Sequence, residues 1–110
     1  MLGGTYGELL ARYGGSLREM GKEIHHLPSC DSTGIPEREG FAILMDCRDH
    51  RQLHSTGSSD SAQCWRDEIG AWWEEGMYKQ AIETEMAEIQ TRFGSKYDEG
   101  LRQLLDRAGM

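Results

Sequence analysis

The chain has 110 residues and a mass of 12.5 kDa, one domain's worth of sequence. Its net charge is −7, spread evenly as −3 over residues 1–60 and −4 over residues 61–110, with no charged tail. Such an acidic balance disfavours tight non-specific binding of nucleic acid through bulk charge, although it allows a local phosphate site. Mean hydropathy is −0.67, and no run approaches the ~18 apolar residues of a membrane span.

The opening Met1-Leu2-Gly3-Gly4-Thr5-Tyr6-Gly7 lacks the basic-then-apolar pattern of a secretory signal. Three cysteines, Cys30, Cys47 and Cys64, occur without a CxxC pair. They read as free thiols of a reducing compartment rather than as a disulfide framework or a cysteine zinc knuckle.

Residues 1–60 are irregular and turn-rich. Thr5-Tyr6-Gly7-Glu8 reads as a capping box, with Thr5 at the N-cap and Glu8 reaching back to its amide. A short helix follows through Leu9, Leu10 and Tyr13 and stops at Gly14-Gly15. Lys22–Leu27 reads as a short strand. Ser29–Gly40, preceded by Pro28 and holding Gly34 and Pro36, reads as loop. Phe41-Ala42-Ile43-Leu44-Met45 is the strongest strand candidate. Residues 55–60 read as loop.

Residues 61–110 read as helical. Asp60 or Ser61 caps a helix carrying Cys64, Trp65, Ile69, Trp72 and Trp73, with Gly76 at its end. The second helix places Tyr78, Ile82, Met86, Ile89 and Phe93 on one face. Gly94 ends it, and Ser95 caps a third helix with Tyr97, Leu101, Leu104, Leu105 and Ala108. These stripes read as core, and the opposing Glu83, Glu88 and Arg92 as a solvated face. Trp72-Trp73 reads as core or partner contact before a base-stacking platform.

All four histidines fall within 30 residues: His25, His26, His50 and His54. A helix after Asp49 would project His50 and His54, at i and i+4, from one face. His25 and His26 on a strand would point to opposite faces. The expectation is one divalent ion gripped by one histidine of the 25/26 doublet together with His50 and His54, with coordination positions open for chemistry. Such an ion polarises a phosphoryl oxygen and stabilises a leaving alkoxide. The other histidine of the doublet, off the metal, would deprotonate water, since an ordinary imidazole titrates near neutrality.

Glu23-Ile24-His25-His26-Leu27-Pro28, then Phe41–Asp46, then Asp49-His50-Arg51 and His54, resemble the HNH/endonuclease VII (His-Me finger) nucleases. More narrowly, the chain resembles the C-terminal toxin domains of bacterial polymorphic toxins, found at the ends of Rhs, contact-dependent-inhibition and type VI effectors. The interval from His25 to His50 is similar to that of the DNase colicins. Gly94-Ser95-Lys96-Tyr97-Asp98-Glu99 resembles the FGxKYD-like tail of one such group.

The resemblance implies an α+β fold: a ββα-metal core over residues 21–60, an N-terminal helix over 1–20 and a helical buttress over 61–110. It implies that His25 binds the ion, that His26 activates water, and that His50 and His54 complete the metal site, with Asp49 or Asp46 as substitutes for His54. The asparagine that often orients the base has no counterpart, because the chain contains no Asn. A backbone carbonyl would take that task. Arg51 would contact the scissile phosphate, with Lys22 and Arg48 on the nucleic-acid backbone. Glu23 and Asp49 would orient ligands.

The expected activity is phosphodiester hydrolysis, DNA before RNA, with one zinc, magnesium, manganese or nickel ion. The expected context is a secreted effector delivered to the target-cell cytoplasm, with a cognate immunity protein. The alternatives are an RNase on the same scaffold, or a non-enzymatic helical interaction or immunity-type module with a structural metal.

Overall fold

The run Phe41–Met45 lacks polar alternation because the strand it forms is covered on both faces. The computed structural model describes residues 1–110. In chain order its elements are β1 (Gly3–Thr5), α1 (Tyr6–Tyr13), α2 (Leu17–Met20), β2 (Lys22–His26) and α3 (Cys30–Thr33). A 3-10 turn (Glu37–Glu39) leads to β3 (Phe41–Asp46) and α4 (Cys47–His50). Three longer helices follow: α5 (Asp60–Glu74), α6 (Tyr78–Phe93) and α7 (Asp98–Ala108). The fold is α+β: a three-stranded antiparallel sheet ordered β1-β3-β2, with helices packed around it. No helix is long and apolar enough to cross a membrane.

Central β3 pairs His25 with Ile43 and His26 with Ala42 on its β2 side. Side chains alternate across a strand, so Ile43 and Met45 share one face with His25, and Ala42 and Leu44 share the other with His26. On the first face Ile43, Met45 and Leu27 pack with Leu53, Ile82, Ile89, Tyr97, Leu101 and Leu104. On the second, Ala42, Leu44 and Ile24 pack with Leu9 of α1, ringed by Tyr6, Leu10, Tyr13 and Leu17. Burying each such Leu or Ile side chain is worth roughly 1.5–3 kcal/mol.

Local signals place most elements. The Thr5–Glu8 capping box forms, with Glu8 N–H on Thr5 Oγ1 at 3.2 Å and Thr5 N–H on Glu8 Oε1 at 2.9 Å. The stripe expected for the second long helix is α6. Trp73 packs partly buried against the main core, 4.6 Å from the Tyr78 ring.

Four expectations need correction. β1 was not foreseen, since Gly3-Gly4-Thr5 shows no strand pattern. It exists because a Cβ on Gly3 would lie 2.0 Å from the Gly100 carbonyl oxygen, so only glycine lets the α7 backbone close on this strand. Residues 29–40 are not all loop, because the Ser29 hydroxyl caps α3. Ser59, not Asp60 or Ser61, caps α5 by accepting from Ala62 N–H at 3.1 Å. The last helix starts at Asp98 because Lys96 and Tyr97 turn onto β3 and α4. Lys96 Nζ lies 2.6 Å from Asp46 and 2.7 Å from Asp49, and Tyr97 Oη donates to Asp49 while accepting from Asp46 N–H.

Candidate metal and catalytic site

His25, His26 and His50 line one cavity of about 210 Å³, together with Ile24, Ser29, Ser55 and Thr56. The two faces of β2 reach a common space because β2 is an edge strand. Consecutive residues pointing to opposite faces both border a cavity that runs along that edge.

His25 is 5% exposed, and its ring centroid lies 4.8 Å from that of His50. Burial, followed by the neighbouring His50 and His26, holds its pKa well below the usual histidine value. The ring is therefore neutral, the form in which imidazole ligates metal. The single sealed side-chain polar atom without a partner in the chain is Glu85 Oε2. His25 takes no hydrogen bond from the protein, so its free nitrogen opens on the cavity.

His50 ends α4, with Nδ1 2.8 Å from Glu23 Oε2. The carboxylate fixes which nitrogen carries the proton and leaves Nε2 as the donor atom. Burial raises the Glu23 pKa, but the bonds from His50 and Cys47 outweigh it and keep the group below its ordinary value. Glu23 Oε1 meets Arg51 Nη2 at 3.4 Å.

His26 lies parallel to Tyr6 from α1, ring centroids 4.4 Å apart. Its Nε2 is 2.8 Å from the Glu37 carbonyl oxygen in the 3-10 turn. A carbonyl only accepts, so Nε2 carries the proton and Nδ1 is the basic nitrogen. The carbonyl thus orients the His26 ring. A Cβ on Gly40 would come within 2.8 Å of the His26 ring, so this glycine leaves room for it.

His54 does not join this group. The helical face expected for His50 and His54 fails to form because α4 stops at His50. The chain continues in tight turns, Leu53 drops into the core, and Thr56 Oγ1 donates to the freed His50 carbonyl at 2.8 Å. His54 Nδ1 then sits 2.7 Å from Glu88, with Nε2 3.1 Å from Arg92 and the ring 5.0 Å from Trp65. It lines a separate cleft of about 390 Å³ on α6. Asp49 orients no imidazole, because it faces Lys96 and Tyr97. Asp46, the other substitute ligand, is held by Lys22 and Lys96.

Among the expected contact residues, Arg51 is 74% exposed beside Glu23 but does not line the cavity. Arg48 borders a different opening, formed with Gly21, Asp46, Cys47, Asp49 and Lys96. Lys22 pairs with Asp46.

Ser29, Ser55, Thr56, Tyr6 and the Glu37 carbonyl were missed, as was Arg66. The Arg66 guanidinium bonds the carbonyls of Ser55 and Gly57 and the Asp31 carboxylate. No sequence spacing marks them, because each reaches the site through a tertiary contact.

His25 and His50 are the two imidazoles of this cavity that could hold an ion. His25 offers a buried neutral ring with no competing partner, and His50 a ring oriented by a carboxylate. No three His, Cys, Asp or Glu side chains stand together as a ready metal-binding group, so a third protein ligand is not preformed. No protein-family model, curated protein or solved structure matches the chain.

Proposed function

We propose that this chain is a metal-dependent endonuclease of the HNH, His-Me finger type, hydrolysing phosphodiester bonds, with DNA the favoured substrate. The observation that carries the reading is the gathering of His25, His26 and His50 around one cavity, with Glu23 on His50 and a carbonyl on His26. A divalent ion held by His25 and His50 would supply Lewis-acid stabilisation of charge on a phosphoryl oxygen and the leaving alkoxide.

The chain's own residues do the rest. His26, with Nε2–H committed to Glu37, accepts a proton from water at Nδ1, and such base assistance is typically worth about 10²–10⁴-fold. Tyr6 and Gly40 hold the ring in that orientation. Glu23 keeps the proton of His50 on Nδ1. Arg51, exposed beside Glu23, and Arg48, exposed on α4, supply positive charge for the phosphate backbone, while the pairing of Lys22 with Asp46 reduces its contribution.

The resemblance to polymorphic toxin domains extends this to an antibacterial effector. It would be delivered into a rival's cytoplasm and held inactive in its producer by a cognate immunity protein.

The test is digestion of supercoiled plasmid and total RNA in parallel, with magnesium, manganese, zinc or nickel, and with EDTA. The reading expects metal-dependent plasmid cleavage that His25→Ala and His26→Ala each abolish while the circular dichroism spectrum is unchanged. Full cleavage by either variant would refute the assignment, and preferential loss of RNA would move it to an RNase.

A further inference from the structure

The hydroxyls lining the cavity differ in what they already hold. Ser29 Oγ is 3.1 Å from Ser32 Oγ and accepts the Ser32 N–H. Thr56 Oγ1 spends its proton on the His50 carbonyl. Ser55 is 8% exposed; its hydroxyl makes no hydrogen bond within the protein and, unlike Glu85 Oε2, is not sealed from solvent. An accessible hydroxyl with no internal partner has its proton available for a bound acceptor. Ser55 lines the same cavity as His25 and His50.

Its placement is fixed from outside. Arg66 Nη1 bonds the Ser55 carbonyl at 2.7 Å and the Gly57 carbonyl at 2.8 Å. Arg66 Nε is anchored 3.0 Å from Asp31 Oδ2, and the Arg66 carbonyl accepts from Ser32 Oγ at 2.8 Å. One side chain of α5 therefore pins both the turn that carries Ser55 and the helix α3 that flanks the cavity.

A neutral hydroxyl with its proton uncommitted suits an acceptor-only anionic oxygen. We propose that Ser55 is a further substrate-contact residue, its hydroxyl donating to a non-bridging oxygen of the phosphodiester bound in this cavity, with Arg66 as the positioning residue that aims it. The inference rests on the nuclease reading and adds the group that grips the phosphate.

The experiment measures affinity for a labelled DNA duplex and a labelled single-stranded RNA by fluorescence anisotropy, in a His26→Ala background. Cleavage, zinc affinity and thermal midpoint are measured alongside in chains that keep His26. Ser55→Ala should weaken binding roughly tenfold or more, the worth of a hydrogen bond to a charged acceptor. Zinc affinity and thermal midpoint should hold, because no internal hydrogen bond is lost. Arg66→Gln should weaken binding in the presence of Ser55 and add little once Ser55 is alanine, a non-additivity that mere loss of stability would not produce. Unchanged affinity in Ser55→Ala, while His25→Ala still abolishes cleavage, would overturn this inference and leave the nuclease reading standing. A wild-type chain that neither binds nor cuts either nucleic acid would overturn both.

Discussion

Glu23 Oε2 lies 2.8 Å from His50 Nδ1, joining an edge strand to the short helix that follows β3. The carboxylate sets the imidazole's tautomer, and the imidazole keeps the carboxylate ionised. Glu23→Gln preserves the shape and removes the charge. Zinc affinity measured by calorimetry should fall about 10–100-fold, as is typical when the partner of a ligating histidine is lost. Unchanged affinity would mean that His50 is not a ligand.

The two histidines of the expected HxxxH pair should separate in function. His50→Ala should lose metal binding and cleavage together. His54→Ala removes a ring held by Glu88 and Arg92 and should keep cleavage within about twofold of wild type, with a stability loss of about 0.2–1 kcal/mol for a partly exposed pair. Plasmid cleavage by the two variants decides the point.

Glu85 gives the fold a pH dependence remote from the trio. Its side chain is buried between α5 and α6, with Oε1 3.3 Å from Trp65 Nε1 and Oε2 unpartnered. Burial raises its pKa to about 8; the Trp65 bond opposes this and the Glu88 charge adds to it. His54 and Arg92 lie beyond, against Glu88. The folded state thus holds a proton that the unfolded state releases above pH 4.5. The stability conferred is full below pH 4.5, falls as pH rises, and levels off above pH 8. Glu85→Gln keeps the acceptor for Trp65 and abolishes this titration. Its gain over wild type in urea denaturation should grow from pH 5 to pH 8, reaching on the order of 3 kcal/mol at pH 7. A gain that does not change with pH would contradict the assignment.

Tyr97 ties the C-terminal helix to the ββα element. Its hydroxyl donates to Asp49 and accepts from Asp46 N–H, and burial followed by the Asp49 bond pushes its pKa up to about 12. Tyr97→Phe leaves both groups without this partner and should cost about 1–3 kcal/mol. In a double-mutant cycle, Asp49→Asn should add less to Tyr97→Phe than it costs alone.

What the sequence made legible follows the range of each interaction. The Thr5–Glu8 box, the apolar run of β3 and the stripe of α6 are local patterns, readable over three to sixteen neighbours. The His25-His26 doublet was legible as a strand pair with opposite faces. Its shared cavity was not, because that depends on β2 lying at the sheet edge. His54 was misplaced because its orientation is set by Glu88, on another helix, and by the burial of Leu53, which ends the helical path. β1 escaped notice because two glycines carry no hydrophobic signal, and their role appears only against Gly100. Ser55 and Arg66 were silent for the same reason.

The most direct measurement is a long-range ¹H–¹⁵N spectrum of the four imidazoles during titration with zinc. The account expects the His25 and His50 ring nitrogens to shift together at one equivalent, with His54 unmoved and His26 retaining its proton on Nε2. Titration of His54 with the metal, or silence of His25 and His50, would contradict it.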